Sequence, residues 1–127
     1  MAEQTRDAAI RITMMPRDTN AHGTVFGGII MSYIDVAGGV EAVRHTRHDR
    51  FVTVAMKEVI FHEPVFIGDL VSFYAETRRV GNTSITVHVE VEAERFGAHG
   101  QKVRVTEAEV TFVAINQFRE KVPIGSM

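Results

Sequence analysis

The 127-residue chain has no cysteine, and it has only a small excess of negative charge. Without cysteine it can form no disulfide and can supply no thiolate as a nucleophile or metal ligand. The formal net charge is -2 and the pI is about 6.3. The chain therefore lacks the basic surplus typical of nucleic-acid-binding proteins, and no nucleic acid is expected as a partner.

The sequence also lacks a signal-peptide core, because charged residues interrupt the first twelve positions. A long stretch without lysine or arginine runs from residue 18 to residue 43, but it carries Asp35 near its middle. A carboxylate at that depth would oppose membrane insertion by roughly 2.5 to 3.5 kcal/mol. We therefore expect a cytoplasmic protein with no membrane partner.

The composition is that of an ordinary folded protein, with 45% apolar and 24% charged residues. A chain of this length corresponds to about one domain. We therefore predict a single domain over residues 1–127, with a core of about 8–115.

The chain is organised around residues 18–41, which open with turn formers and glycines and continue as a helix-length run of apolar and small residues. Apolar residues recur three and four positions apart, which predicts one broad apolar face, and small residues form a second face. The apolar face comprises Val25, Phe26, Ile29, Ile30, Tyr33, Ile34, Ala37 and Val40, and the second comprises Gly28, Met31, Ser32, Asp35, Gly38, Gly39 and Ala42. A helix with so little polar surface must be enclosed by protein.

The rest of the chain reads as strands separated by proline, glycine and asparagine. The predicted strands are 8–15, 51–61, 70–80, 83–94 and 103–115. In the last strand the alternation changes phase, which predicts either a bulge near Glu107 or a strand covered on both faces. Short turns can join the last four strands as an antiparallel meander. The fold class is thus α+β, with about five antiparallel strands wrapped around one long central helix.

Four stretches carry a family resemblance. They read DTNAHGTVFGGIIMSYIDVAGG, VTVAMKEVIFHEPVFIGDLV, RRVGNTSITVHVEVEAE and RVTEAEVTFVAI. Together they resemble the hotdog-fold acyl-CoA thioesterases, particularly the YciA-like acyl-CoA thioester hydrolases, over roughly residues 8–115. The resemblance implies a homodimer whose sheets join edge to edge, assembled further as a dimer of dimers or a trimer of dimers. It implies an acyl-CoA substrate, with coenzyme A part of substrate and product, and no separate cofactor or metal.

The resemblance also implies roles for individual residues. Asp35 would be the general base or nucleophile, and Asn20 a catalytic or positioning residue. Phe26, Gly27 and Gly28 would offer backbone N-H groups to the thioester carbonyl. His22 stands where the family varies, so no role is carried onto it.

The residues themselves can supply this chemistry, because exposed amides at a helix start stabilise a developing oxyanion. Asp35 lies seven or eight residues after the glycines, about 10 to 12 Å along one helix. The carboxylate would therefore have to come from the partner subunit. Simpler readings remain open: a tight loop-to-helix junction at Gly27 and Gly28, a loop-stabilising Asn20, and an Asp35 bonded to a backbone amide or facing solvent.

Phosphate groups of coenzyme A would suit basic side chains and turn amides. The candidates are Arg78, Arg79, Gly81, Asn82, Thr83 and Ser84, although the same residues also fit a charged strand end before a hairpin. The acyl chain would lie along Phe26, Ile30 and Phe61.

Two rival functions fit the same fold. A hotdog hydratase or dehydratase acting on 3-hydroxyacyl thioesters would use a histidine paired with an acid, for which His22 is the candidate. A non-catalytic acyl-CoA-binding module would keep the pocket alone, but the presence of both Asn20 and Asp35 argues against it. His45 and His48 have helical metal-ligand spacing, yet a solvated helix end is the favoured reading.

Overall fold

The computed structural model describes residues 6–126. The elements are β1 (Ile10–Thr13), α1 (Gly27–Thr46), β2 (Phe51–Phe61), β3 (Leu70–Val80), β4 (Ser84–Glu94) and β5 (Lys102–Ala114), with a single 3-10 turn at Pro16–Asp18. All strand pairs are antiparallel. The predicted architecture of one long helix and a five-stranded antiparallel sheet is confirmed.

The predicted meander is wrong for β2. The strand order is β1-β3-β4-β5-β2, so β2 pairs with β5 at one edge and not with β3. The eight residues 62–69 are long enough to cross the end of the sheet instead of forming a tight hairpin. Several backbone hydrogen bonds hold this crossing, and the two shortest run from His62 N-H to the Val105 carbonyl and from Val25 N-H to the Val65 carbonyl, each 2.7 Å.

The bounds of β1 and α1 also differ from the prediction. The first strand spans only Ile10–Thr13. The helix continues five residues past the predicted stretch, to Thr46, and Arg47 ends it in the left-handed region at φ 62. Arg44 and His45 lie in its last turn, where cations interact favourably with the helix dipole.

The core lies between α1 and the concave face of the sheet. On β4 the predicted alternation is confirmed, because the odd-numbered residues 85–93 are fully buried, whereas the even-numbered ones keep some exposure, from 8% at Thr86 upward. From the helix, the buried residues are Ile30, Ile34, Ala37, Gly38 and Ala42. Phe26 was expected on this apolar face, but it precedes the helix and is 58% exposed.

The phase change in β5 is a bulge. Thr106 pairs with Val91 and Arg104 pairs with Glu92, which leaves Val105 as the extra residue. The bulge lies two residues before the predicted position at Glu107. Its effect is that both Val105 and Thr106 are buried.

At Gly38 the helix packs closely against the sheet. A Cβ atom there would lie 3.0 Å from two ring atoms of buried Phe112, whereas one at Gly39 would lie 3.9 Å from the same ring. We expect Gly38→Val to lower the free energy of unfolding by about 2 kcal/mol through overpacking. Gly39→Val should change it by less than about 1 kcal/mol. Urea denaturation checks both, and equal stability of the two variants would contradict this packing.

The sheet has two edges, the four-residue β1 and the eleven-residue β2. Three apolar side chains of β2 are more than two-fifths exposed: Val54, Ile60 and Phe61. Val36 of the helix is 56% exposed. A long, apolar open edge of this kind pairs readily with another chain. Within residues 6–126, no helix is long and apolar enough to cross a membrane.

Candidate active site

The first turn of α1 presents free backbone donors. Phe26 is the N-cap residue, and no side chain caps the helix start. Within the part of the chain that the structure describes, the amides of Gly27 and Gly28 have no acceptor. Phe26 was expected to supply a third donor, but its N-H already donates a hydrogen bond to the Asp18 carbonyl at 2.8 Å. Two adjacent amides at the positive end of the helix dipole can therefore receive a developing negative charge.

Aromatic rings flank these two glycines. A Cβ at Gly27 would lie 3.4 Å from the Phe61 ring, and one at Gly28 would lie 3.3 Å from the Phe26 ring. The absence of side chains at both positions leaves the amides open to a ligand between two half-exposed rings.

A pocket of about 290 Å³ opens beside Gly27. Its lining residues come from the helix start, the end of β2, the crossing segment and β5: Thr24, Val25, Gly27, Ile30, Phe61, His62, Glu63, Pro64, Val65 and Thr106. The predicted acyl-chain contacts Ile30 and Phe61 thus line the same pocket. Phe26 does not line it, although its ring lies next to Gly28.

Asp35 lies in the middle of α1 and is half-buried. Its Oδ1 accepts a 2.6 Å hydrogen bond from the Thr53 hydroxyl of β2, not from a backbone amide. The carboxylate therefore points toward the open edge of the sheet. Along the helix it is eight residues from Gly27, about 12 Å, so one protomer does not bring the two together.

Asn20 stabilises the loop before the helix. Its Oδ1 accepts from the backbone amides of His22 and Thr24 at 2.8 and 3.3 Å, and its Nδ2 donates to the Thr24 hydroxyl at 3.0 Å. This is the loop-stabilising geometry that an asparagine in a turn adopts. Asn20 thereby fixes the path of the chain into the helix start.

The candidate coenzyme A residues lie elsewhere in the protomer. Phe61, Thr106, Val91 and Phe73 form one row across the sheet at the level of the pocket. Arg79 is six residues further along β3, about 20 Å away. The β3–β4 hairpin of Gly81, Asn82, Thr83 and Ser84 follows it, and Arg78 pairs with exposed Glu76 at 3.2 Å. These residues therefore do not line the pocket of their own protomer.

Two histidines that the sequence raised as candidates, His22 and His48, form no catalytic or metal-binding group within the described residues. His22 is exposed, and its backbone amide donates a hydrogen bond to Asn20 Oδ1. Buried His48 bonds the Ile115 carbonyl and the Gly125 amide, each at 3.0 Å. Residues 6–126 contain no group of three histidine or acidic side chains that could hold a metal.

His62 joins the pocket to the outer face of the sheet. Its Nε2 lies 2.7 Å from Glu107, and this hydrogen bond lowers the pKa of the Glu107 carboxyl below its usual value. Neither Thr53 nor Thr106 was predicted from the sequence to be a site residue. Nothing in the local pattern distinguishes Thr53, whereas the phase change of β5 was a signal for Thr106.

Residues 22–98 match the family model described as the thioesterase superfamily. The chain is 38% identical to the acyl-CoA thioester hydrolase YciA of Escherichia coli over 112 residues, covering 87% of this chain and 84% of the relative. An uncharacterized acyl-CoA thioester hydrolase of Haemophilus influenzae is 40% identical over 109 residues, covering 84% of this chain and 70% of the relative. The fold is similar to that of a hexameric hotdog fold thioesterase of Campylobacter jejuni, with a TM-score of 0.87, 45% identity, and coverage of 93% and 90%.

Proposed function

The chain belongs to the thioesterase superfamily, and on that premise we propose that it is an acyl-CoA thioesterase, which hydrolyses acyl-CoA to a free acid and coenzyme A. The observation that carries the proposal is that the Gly27 and Gly28 amides, which donate no hydrogen bond within residues 6–126, lie beside a mainly apolar pocket. The pocket receives the acyl group, and the amides bind the thioester carbonyl as its oxygen gains negative charge.

The attacking group is Asp35 of the partner subunit, which acts as general base toward water or as the nucleophile. Within one protomer Asp35 and Gly27 both lie against β2, Asp35 through Thr53 and Gly27 through Phe61. Lys57 lies midway between these two contacts. If two β2 edges pair antiparallel around a two-fold axis near Lys57, Thr53 of one protomer comes opposite Phe61 of the other.

That pairing places the carboxylate of one protomer beside the helix start of its partner. It also covers the exposed apolar residues of β2 and satisfies the edge amides and carbonyls. Asn20 belongs to the site as a positioning residue, because it holds the loop that leads to Gly27.

Three relatives of known structure are hexameric thioesterases, and we propose that this chain also forms a hexamer, built as a trimer of dimers. In it, Arg78, Arg79 and the turn of residues 81–84 reach the coenzyme A phosphates of a site on another subunit, since they cannot reach their own. The cytoplasmic location and the absence of a cofactor stay predictions.

A hydratase or dehydratase is not favoured. That chemistry needs a histidine paired with an acid, and among residues 6–126 no carboxylate forms an ion pair with His22. His62 at the pocket does pair with Glu107, but Glu107 lies toward the outer face of the sheet, and the relatives are acyl-CoA thioester hydrolases. The site holds Asp35 without a histidine partner in the protomer.

The test is release of free thiol from a panel of acyl-CoA thioesters by the purified protein. We expect thiol release with stoichiometric free acid and no double bond in the product. Binding of acyl-CoA without turnover would support the non-catalytic module, and formation of an enoyl thioester would support the dehydratase.

A further inference from the structure

The turn at residues 66–69 is held by a buried ion pair. Arg95 donates a 2.6 Å hydrogen bond to the Asp69 carboxylate, and the two side chains are only 15% and 2% exposed. The same carboxylate oxygen accepts a hydrogen bond from the Phe66 N-H at 2.9 Å. Because the carboxylate bonds both the guanidinium and the backbone, Asp69 fixes the geometry of this turn.

Arg95 contacts the turn in a second way. Its guanidinium lies over the Phe66 ring, 4.9 Å from the ring centroid, where a cation is attracted to the aromatic face. Arg95 itself follows β4 directly, and its N-H donates to the Gln101 carbonyl at 2.8 Å across the β4–β5 hairpin. One side chain at the end of the sheet therefore holds both ends of the turn, Phe66 and Asp69.

The segment held in this way carries one wall of the pocket and supports the approach to α1. The Val65 carbonyl accepts the Val25 N-H at 2.7 Å, and Phe66 forms an antiparallel bridge with Thr24. Thr24, Val25 and Val65 all line the pocket. Since Gly27 follows Val25 by two residues, the position of the Gly27 amide depends on these two backbone contacts.

We propose that Arg95 is a positioning residue for the active site. Through Asp69 and Phe66 it holds the crossing segment in place, and that segment holds the Gly27 amide where the thioester oxygen gains charge. A displaced donor weakens binding of the transition state more than binding of the substrate. The inference rests on the proposed function, because it takes the Gly27 amide as an oxyanion donor.

Three variants test this role. Arg95→Met removes the guanidinium but leaves the buried Asp69 charge without its partner, which destabilises the fold. The double substitution Asp69→Asn/Arg95→Met removes both charges, and an asparagine oxygen can still accept the Phe66 N-H. We expect kcat for an acyl-CoA to fall by about tenfold in both variants, with a smaller change in KM. Arg95→Lys keeps a cation within reach of Asp69 and should retain most of the turnover.

Hydrogen exchange separates positioning from a general loss of stability. The Val25 N-H is protected by the Val65 carbonyl, so its exchange rate reports whether the crossing segment keeps its place. In the doubly substituted chain, exchange should accelerate around Val25 and in the crossing segment. Peptides from β4 and β5 should keep the protection of the parent chain.

Arg104→Met is the matched control. Arg104 also forms an ion pair, with Glu90 at 3.3 Å, but this pair lies on the outer face of the sheet and does not contact the crossing segment. Both kcat and the exchange of the Val25 N-H should therefore stay at parental values in this variant.

The outcomes separate this inference from the proposed function. Parental kcat in both Arg95→Met and the doubly substituted chain would refute the positioning role and leave the thioesterase function standing. Exchange that accelerates equally over the whole chain would assign the ion pair to overall stability, and the inference would again be refuted. If the parent chain hydrolyses no acyl-CoA, the proposed function fails and the role of Arg95 in catalysis fails with it, whereas exchange at Val25 still decides whether Arg95 holds the segment.

Discussion

Asp35→Ala is expected to lower kcat by about 100-fold or more, the usual scale for loss of a general base. The carboxylate is half-buried at the open edge of the protomer and accepts a hydrogen bond from the hydroxyl of exposed Thr53. Removal of the carboxylate leaves only the exposed Thr53 hydroxyl without its partner, and water can bond that hydroxyl. The variant should therefore be as stable as the parent chain. The loss of activity is checked by measuring kcat with an acyl-CoA that the parent chain hydrolyses, and the unchanged stability is checked by urea denaturation.

The chain supplies a matched control in Glu41, the other carboxylate of α1. Glu41 accepts a 2.8 Å hydrogen bond from the Thr77 hydroxyl of β3, much as Asp35 does from Thr53. It faces the opposite flank of the helix, away from β2. Glu41→Gln should therefore leave kcat nearly unchanged. Equal losses in the two variants would show that Asp35 acts through the stability of the helix and not through chemistry.

The fold was readable from the sequence where local pattern and burial agree. The strict alternation of β4 predicts one buried face and one solvent-facing face, and every odd-numbered residue from Ile85 to Ala93 is buried. The sequence did not show why the helix carries small residues. The structure gives a reason at Gly38, which packs against the Phe112 ring. Strand order was not readable, because a crossing segment and a hairpin loop of eight residues look alike in composition.

The site was only partly readable for a related reason. Gly27 and Gly28 stand out locally, because glycines at a helix start leave amides accessible. Asp35 stands out as a carboxylate among apolar residues. The Thr53 bond and the inward turn of Thr106 depend on which strand lies beside which, so they follow from register and a bulge. The Arg79 and Gly27 regions are separated by most of a strand, a fact that spacing along the chain does not reveal.

Gly27→Pro is expected to lower kcat by about 100- to 1,000-fold, the effect of removing one oxyanion donor. Proline at the first helical position removes an N-H that no helix carbonyl accepts, so the helix itself loses no bond. The preceding residue, Phe26, has φ -61 and ψ 130, an extended conformation that a residue before proline adopts without strain. The substitution therefore deletes the donor with little disturbance of the backbone.

Gly27→Ala distinguishes loss of the N-H donor from crowding by an added side chain. Alanine retains the N-H and adds a Cβ at 3.4 Å from the Phe61 ring, which is a tight but tolerable contact. Most of the turnover should remain in this variant. If alanine and proline reduce kcat equally, the loss arises from crowding at the pocket mouth, and the Gly27 amide is not an oxyanion donor.

Mixing the two inactive chains tests whether the site is shared between protomers. In a mixed dimer of Asp35→Ala and Gly27→Pro chains, one site combines the intact Gly27 amide of the first chain with the intact carboxylate of the second. The other site carries both defects. Random reassembly makes half of the dimers mixed, so co-refolding should recover about a quarter of the parental turnover if the active site is built across a two-fold interface. A site contained within one protomer would recover none, because each chain would carry its own defect into every assembly.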